Sequence, residues 1–172
     1  MKLLVKDVSE GFSHYSECED PAVVGLEPNE DAEFNHPLAI ELDVTRDGNE
    51  FYVRGTVVTT LRVPCARCLG PAEVAGEGEF EGLFGWRKTA KPFMEISLDS
   101  DMHKFGGLEL DLRPLIREAV LMTIPIVALC REDCAGLCTR CGTDLNKGNC
   151  SCQPEVADPR WSELKKLLED NK

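Results

Sequence analysis

Apolar and polar residues alternate with a period of two across much of residues 38–84. This is the pattern of β-strands with one buried face. Asp47-Gly48 falls between two such runs, and this dipeptide is typical of the tight turn of a β-hairpin. A third alternating run follows Pro64, from about residue 72 to 84. The predicted buried positions of the first two strands are Leu38, Ile40, Leu42, Val44, Phe51, Val53, Val57, Leu61 and Val63.

The flanking segments carry weaker signals. Residues 1–8 alternate loosely, which is consistent with an edge strand. Residues 9–37 are rich in glycine, proline and acids, so we expect mostly loop with one short strand near 22–26. We expect an insertion with one strand over 85–104, and a short strand over 106–110.

Two helices are predicted in the second half of the chain. Apolar residues from 112 to 122 recur at helical spacing, with Asp111 as N-cap and Pro114 in the first turn. Asp158-Pro159 starts a second helix with an apolar stripe that includes Trp161 and Leu164. The fold class predicted is α+β: an antiparallel β-meander or open, barrel-like sheet with two packed helices and a cysteine-rich C-terminal lobe. The expected domains are a core at 1–129, a zinc-binding lobe at 130–157 and a C-terminal helix at 158–172.

The charge of the chain limits its partners. Its 172 residues carry a formal charge of −12. Residues 1–100 contain 9 basic and 19 acidic side chains, whereas 101–172 contain 10 and 12. An acidic N-terminal half repels phosphate, so the charge disfavours salt-driven nucleic-acid binding over the whole surface. No apolar run approaches the roughly 18 residues of a membrane helix, and no signal peptide is evident, so we expect a cytoplasmic protein.

Eight of the nine cysteines form four close pairs. The pairs are Cys65/Cys68, Cys130/Cys134, Cys138/Cys141 and Cys150/Cys152. In the reducing cytosol, clustered cysteines are more often metal ligands than structural disulfides. Two pairs complete one tetrahedral four-thiolate site, so the chain has ligands for two zinc ions. The ninth, Cys18, has no near partner in the sequence.

The grouping of the pairs follows only weakly from their spacing. Eight residues separate Cys141 from Cys150, and 61 separate Cys68 from Cys130. Loop closure favours the shorter connection by roughly 1.8 kcal/mol, which is small beside the roughly 10 kcal/mol of a structural zinc site. The preferred grouping therefore joins the last two pairs, and Cys65/Cys68 with Cys130/Cys134.

The cysteines alone leave three alternatives to zinc: an iron–sulfur cluster, a redox-active C-x2-C pair, and free structural thiols. The histidines, His14, His36 and His103, lie far from the pairs in sequence, and a catalytic zinc site needs an open position. We therefore expect structural metal sites and no catalytic residues.

Five basic residues lie near the cysteine pairs in sequence: Arg62, Arg67, Arg131, Arg140 and Lys147. They either balance the thiolate charge or contact RNA phosphate or an acidic partner.

Several strings together resemble one known family. They are C-A-R-C-L, I-R-E-A-V-L-x-x-I-P-x-x-x-L-C, C-x3-C-x-G-L-C-x2-C-G-x-x-L-N before C-x-C, and D-P-R-W-x-x-L-K-K-L. Over about residues 35–170 the chain resembles the YceD-like family of large ribosomal RNA subunit accumulation proteins. The resemblance implies a non-enzymatic, metal-binding factor that supports accumulation of 23S rRNA. Some members shorten the later cysteine cluster, which favours the same grouping of the pairs.

Three functional hypotheses follow. The first is an accessory factor for the large ribosomal subunit that binds ribosomal RNA or a basic ribosomal protein, and the acidity of the chain favours the protein. The second is a general nucleic-acid-binding zinc protein. The third is an enzyme, either a metal hydrolase or a thiol–disulfide oxidoreductase that uses a C-x2-C pair.

Overall fold

The computed structural model describes residues 1–29, 32–87, 95–96 and 102–152. The chain divides into two compact units, Met1–Cys134 and Ala135–Lys172. In the described residues, the first unit contains every strand and the α-helix, and the second consists of the turns that carry the last four cysteines.

The described residues of the first unit form eight strands and one α-helix. The strands are β1 (Lys2–Leu4), β2 (Gly11–Glu19), β3 (Leu38–Asp47), β4 (Glu50–Pro64), β5 (Pro71–Trp86), β6 (Glu95–Ile96), β7 (Met102–Phe105) and β8 (Glu109–Asp111). The helix is α1 (Arg113–Met122). Six strands form one open sheet in the order β2-β3-β4-β5-β7-β6, and β1 pairs with β8 in a separate two-stranded sheet. All pairs are antiparallel except β5 with β7.

The predicted meander is confirmed at its centre. β3 and β4 pair through the Asp47-Gly48 turn, where Gly48 has a φ of 55°. β4 then pairs with β5 along fifteen positions, from Glu50 opposite Gly85 to Pro64 opposite Pro71. All nine apolar side chains predicted to be buried on β3 and β4 lie in the core. The period-two pattern thus identified both strands and their buried face.

The α-helix packs on the inner face of β5 because that strand carries glycine at the contact. A Cβ at Gly78 would lie only 2.7 Å from the carbonyl oxygen of Ala119, and one at Gly76 only 2.6 Å from the Thr123 hydroxyl. Gly76 and Gly78 therefore allow α1 to approach β5 closely. On the same face of α1, Ile116 and Val120 are buried in the core.

Two predictions for residues 9–37 are wrong. Residues 11–19, expected to be loop, form β2, and residues 21–24 form a 3₁₀ turn where a short strand was expected. β2 lies at the sheet edge with mostly exposed side chains, so it lacks the apolar alternation that marks a half-buried strand. The 3₁₀ turn is stabilised by Asp20, whose carboxylate accepts a hydrogen bond from the Ala22 N–H at 2.8 Å.

Of the two predicted helices, the described residues contain one. Its N-cap is Leu112 rather than Asp111, although the Asp111 carboxylate accepts a hydrogen bond from the Arg113 N–H at 3.1 Å. The second predicted helix, 158–172, lies outside the described residues. Among the residues described, no helix has both the length and the apolar composition required to span a membrane.

Candidate metal centres

The first unit brings four cysteines together at one end of the β4–β5 hairpin. Cys65 and Cys68 lie in the loop between these strands, and Cys130 and Cys134 follow α1. All four Sγ atoms lie within 4.8 Å of one another. The Sγ–Sγ distance is 3.9 Å from Cys65 to Cys134 and 3.7 Å from Cys68 to Cys130. We call this group the first centre.

These distances match the geometry of a mononuclear tetrahedral site. With a zinc–sulfur bond of about 2.3 Å, the edge of a regular S₄ tetrahedron is about 3.8 Å. A disulfide requires about 2.05 Å between sulfurs, which is far shorter than either distance. A polynuclear iron–sulfur cluster would hold the sulfurs further apart, because several iron and sulfide atoms lie between the thiolates. The first centre is therefore sized for a single metal ion.

Backbone hydrogen bonds hold the loop of the first centre in a tight turn. The Leu69 N–H donates to the Cys65 carbonyl at 2.9 Å, and the Cys65 N–H donates to the Gly70 carbonyl at 2.7 Å. The Ala66 N–H donates to the Ala128 carbonyl at 2.8 Å, which ties the loop to the chain that leads into Cys130. The side chains of Cys65 and Cys134 are buried.

The second unit contains an equivalent group, the second centre, made of Cys138, Cys141, Cys150 and Cys152. Their Sγ atoms also lie within 4.8 Å of one another. Its turn has two backbone hydrogen bonds equivalent to those of Leu69 and Cys65 in the first centre. The Gly142 N–H donates to the Cys138 carbonyl at 2.9 Å, and the Cys138 N–H donates to the Thr143 carbonyl at 2.8 Å. The two groups of four cysteines are the ones that the sequence analysis preferred.

The residue after the second cysteine of each turn has a positive φ. It is Gly142 with φ 73° in the second centre, and Leu69 with φ 59° in the first. Glycine adopts this conformation without strain, whereas for a leucine the conformation costs roughly 1–2 kcal/mol of free energy. Leu69 is the one non-glycine residue with positive φ in the described chain, and its side chain is 69% exposed.

The thiols of each group ionise unequally. Backbone N–H donors, first that of Cys130, lower the pKa of Cys65 to about 6, whereas burial and the neighbouring thiols raise the pKa of Cys130 to about 12. In the second centre, hydrogen bonds from Thr143 lower the pKa of Cys141 to about 6. The hydrogen bond with Cys141, followed by burial, raises the pKa of Cys152 to about 12. Four adjacent thiolates repel one another, and a divalent cation supplies the charge that lets all four ionise.

Among the described residues, neither group of potential metal ligands includes a histidine. His14 Nδ1 is 2.8 Å from an oxygen of Asp43, and the His103 ring packs on Phe84 with centroids 5.2 Å apart. Four sulfurs would fill the coordination sphere of a tetrahedral ion held in either centre, so no position would remain open for a substrate. The arrangement suits a structural metal rather than a catalytic one.

The basic residues expected near the centres mostly make internal contacts. Distances of 3.0–3.9 Å join Arg62 to Glu33 and Glu73, Arg67 to the carbonyl oxygens of Glu132 and Cys134, Arg131 to Asp133, and Lys147 to Asp144. Arg140 is exposed between two ligands of the second centre. Exposed ion pairs contribute little stability, but Arg67 orders the segment that carries Cys134. These contacts reduce the number of cations available for phosphate.

Sequence reasoning missed the residues that support the turns. Asn146 accepts a hydrogen bond from the Ala135 N–H at 2.8 Å and donates to Asp144 at 2.8 Å, which closes the second turn. The spacing of Asp144 and Asn146 beside the C-x2-C-G string was the available signal. Nothing in the sequence marked Leu69, because leucine is not a residue that favours positive φ.

Comparisons with known proteins identify a family and several similar chains. A family model described as "Large ribosomal RNA subunit accumulation protein YceD" matches residues 53–168. An uncharacterized protein of Mycobacterium tuberculosis (strain H37Rv) is 29% identical over 157 residues, which cover 91% of this chain and 74% of that protein. The chloroplastic "Large ribosomal RNA subunit accumulation protein YCED homolog 1" of Arabidopsis thaliana is 27% identical, over 77% of this chain and 49% of its own. The homolog of the same name in Zea mays is 28% identical, over 69% and 49%. No solved structure matches the chain.

Proposed function

Because this chain belongs to the YceD family of large ribosomal RNA subunit accumulation proteins, we propose that it is a non-enzymatic accessory factor for biogenesis of the large ribosomal subunit. In this role it acts in the cytoplasm and supports the accumulation of 23S rRNA. The observation that carries the non-enzymatic part of the proposal is that each centre has four sulfurs within 4.8 Å of one another, which would leave a tetrahedral metal ion no open position for a substrate. The function then lies on the surfaces that the centres hold in place.

The proposed metal in both centres is zinc. Four thiolates at tetrahedral spacing are typical ligands of structural zinc, and the cation offsets the repulsion between them. Elemental analysis of protein purified in reducing buffer should give two zinc ions per chain. Protein without bound metal, or with iron in place of zinc, would contradict this assignment. Rapid alkylation of Cys65 or Cys68 in the native protein would instead favour a thiol–disulfide oxidoreductase, because ligated thiolates are shielded.

The proposed direct contact is a basic ribosomal protein, with ribosomal RNA in second place. The formal charge of −12 attracts cationic proteins and repels phosphate. Two zinc ions bound by eight thiolates add a further net charge of about −4 to this formal value. The internal contacts of Arg62, Arg67, Arg131 and Lys147 act in the same direction.

One experiment tests the proposal as a whole. Affinity purification from growing cells, with both protein and RNA identified, should recover large-subunit ribosomal protein, and cells that lack the chain should accumulate less 23S rRNA. Normal 23S rRNA in those cells would refute the role. If purified protein binds RNA with affinity that falls steeply with salt, several phosphates are neutralised, and a general nucleic-acid-binding zinc protein becomes the better description.

A further inference from the structure

The six-stranded sheet has one face that α1 does not cover, and we call it the outer face. It is formed by the side chains of β3, β4 and β5 that alternate with the buried ones. Five of the exposed carboxylates on this face lie close together on the two strands that flank β4. They are Glu41 and Asp43 on β3, and Glu77, Glu79 and Glu81 on β5.

The register places these carboxylates in two parallel rows. Thr56 of β4 pairs with Glu41 on one side and Glu79 on the other, and Arg54 pairs in the same way with Asp43 and Glu81. Neighbours within a row are about 6.8 Å apart, and the rows are about 9.6 Å apart, from the standard strand spacings. A shallow depression of about 290 Å³ lies between the rows.

Apolar side chains flank the carboxylates on the same face. Val58 is 46% exposed and pairs with Glu77. Tyr52 is 43% exposed and lies four residues before Thr56 on β4. Phe12 of β2 is 67% exposed, and Thr45 lies between it and Tyr52 in the register. Single exposed apolar residues are common on protein surfaces. Here three of them occur on a face whose charge is dominated by carboxylates.

We propose that the outer face docks a lysine- and arginine-rich segment of a protein partner, with apolar anchors that seat on Val58 and Tyr52. Charge complementarity selects this occupant. RNA phosphate is repelled by the two rows, and so is the outer face of a second copy of this chain. The carboxylates are too widely spaced to share one metal ion, and the described groups able to hold an ion are the two cysteine centres. The assignment rests on the proposed function in so far as the cationic partner is ribosomal.

The test uses the full-length, metal-loaded chain and the basic proteins extracted from purified large ribosomal subunits. The protein captured by the wild-type chain is identified by mass spectrometry, purified and titrated. The face variant carries Glu41→Gln, Glu77→Gln and Glu79→Gln. Its matched control carries Asp7→Asn, Glu27→Gln and Glu118→Gln, which remove the same charge from exposed positions away from the outer face. Urea denaturation checks that both variants remain folded.

The face variant should bind the identified protein about tenfold more weakly at low salt, because it loses several exposed ionic contacts. This loss of affinity should become smaller as the salt concentration rises, and the matched control should lose less affinity than the face variant. A second variant, Val58→Thr, should weaken binding about fivefold at every salt concentration by removing apolar burial. Its control is Val23→Thr, which changes a valine that is 47% exposed and lies in the 3₁₀ turn, away from the outer face. The control should not weaken binding.

The outcomes separate the two proposals. If the face variant and its control weaken binding equally, the attraction is one of net charge and the docking surface is wrong, while the ribosomal role stands. If the wild-type chain captures no large-subunit protein, the protein contact of the proposed function fails, and the docking surface fails with it. If the face variant loses affinity for RNA and keeps its affinity for the protein, the outer face binds RNA and the assignment of its occupant is overturned.

Discussion

Gly78 is the position where a single added methyl group should most clearly disturb the first unit. A Cβ at this residue would lie 2.7 Å from the carbonyl oxygen of Ala119, 3.0 Å from its carbonyl carbon and 3.2 Å from Cγ2 of Thr123. The first two atoms belong to the backbone of α1 and cannot rotate away. Gly78→Ala therefore requires α1 to move away from β5 by several tenths of an ångström.

The cost follows from two opposing effects. Inserting a methyl group into a packed interface costs about 1–3 kcal/mol. Replacing glycine in a strand recovers about 0.5–1 kcal/mol, because the unfolded chain loses conformational freedom. The mid-range values of these two effects differ by about 1 kcal/mol, so the free energy of unfolding of Gly78→Ala should fall by about that amount.

The assay is urea denaturation of the metal-loaded protein, followed by far-UV circular dichroism. Adding Ala119→Gly to Gly78→Ala should not restore stability, because the clash is with the carbonyl group and not with the side chain. Gly76→Ala is the contrasting case: its added Cβ meets the Thr123 hydroxyl at 2.6 Å, so Thr123→Ala should rescue it in part. In a double-mutant cycle, only the second pair should show favourable coupling.

Gly148→Ala serves as a control substitution in the second unit, since nothing lies within 4 Å of its added Cβ. It should leave the free energy of unfolding of the first unit unchanged. The reasoning about the α1–β5 contact would be refuted if Gly78→Ala were as stable as the wild-type chain, or if Ala119→Gly restored its stability.

Three further predictions concern the centres and the start of α1. Cys141→Ser should release one of two zinc ions and make the second unit sensitive to protease, while Cys18→Ser keeps both ions; retention of two ions by Cys141→Ser would disprove the grouping of ligands. Gly142→Ala should weaken zinc binding at the second centre roughly fivefold in a competitive chelator titration, because a φ of 73° costs a non-glycine residue about 1 kcal/mol net; unchanged affinity would mean that the turn tolerates a side chain there. Burial opposes ionisation of Asp111, but the contact with Arg113 lowers the pKa of this carboxyl below its usual value. The ionised carboxylate therefore stabilises the folded state at pH values above the usual pKa, and this stability is lost as the pH falls through the folded-state pKa. Asp111→Asn should therefore be less stable than wild type at pH 7, and the difference should vanish on acid titration; a difference that persists in acid would assign the effect to packing.

Local patterns predicted the parts of the fold in which each strand has one buried face. Leu38, Ile40, Leu42 and Val44 all lie in the core because burial of alternate residues is what produces the period-two signal. β2 gave no such signal, since an edge strand is held mainly by backbone hydrogen bonds to β3, which any sequence can form. The same reason explains why the parallel pairing of β5 with β7 could not be foreseen.

The candidate centres were more accessible to sequence reasoning than the surfaces around them. Cysteines separated by only one to three residues have sulfurs that can reach the same metal ion, so each pair was expected to act together. The positions of Arg62 and Arg67 near Cys65 and Cys68 in sequence did not reveal that their guanidinium groups contact Glu33 and the Cys134 carbonyl. Those contacts join residues 29 and 67 positions apart, and no local pattern encodes them.

The sequence by itself determined the four cysteine pairs, the alternating strands, the first helix and the acidity of the chain. Each of these depends on residues that are near neighbours along the chain, so local spacing is sufficient to specify them. Tertiary structure alone decided that Cys65 and Cys68 meet Cys130 and Cys134. The entropy of loop closure separates the possible groupings by less free energy than one zinc site contributes, so it could not decide between them. It also decided that the carboxylates of β3 and β5 share one face, because strand register depends on pairing between distant segments.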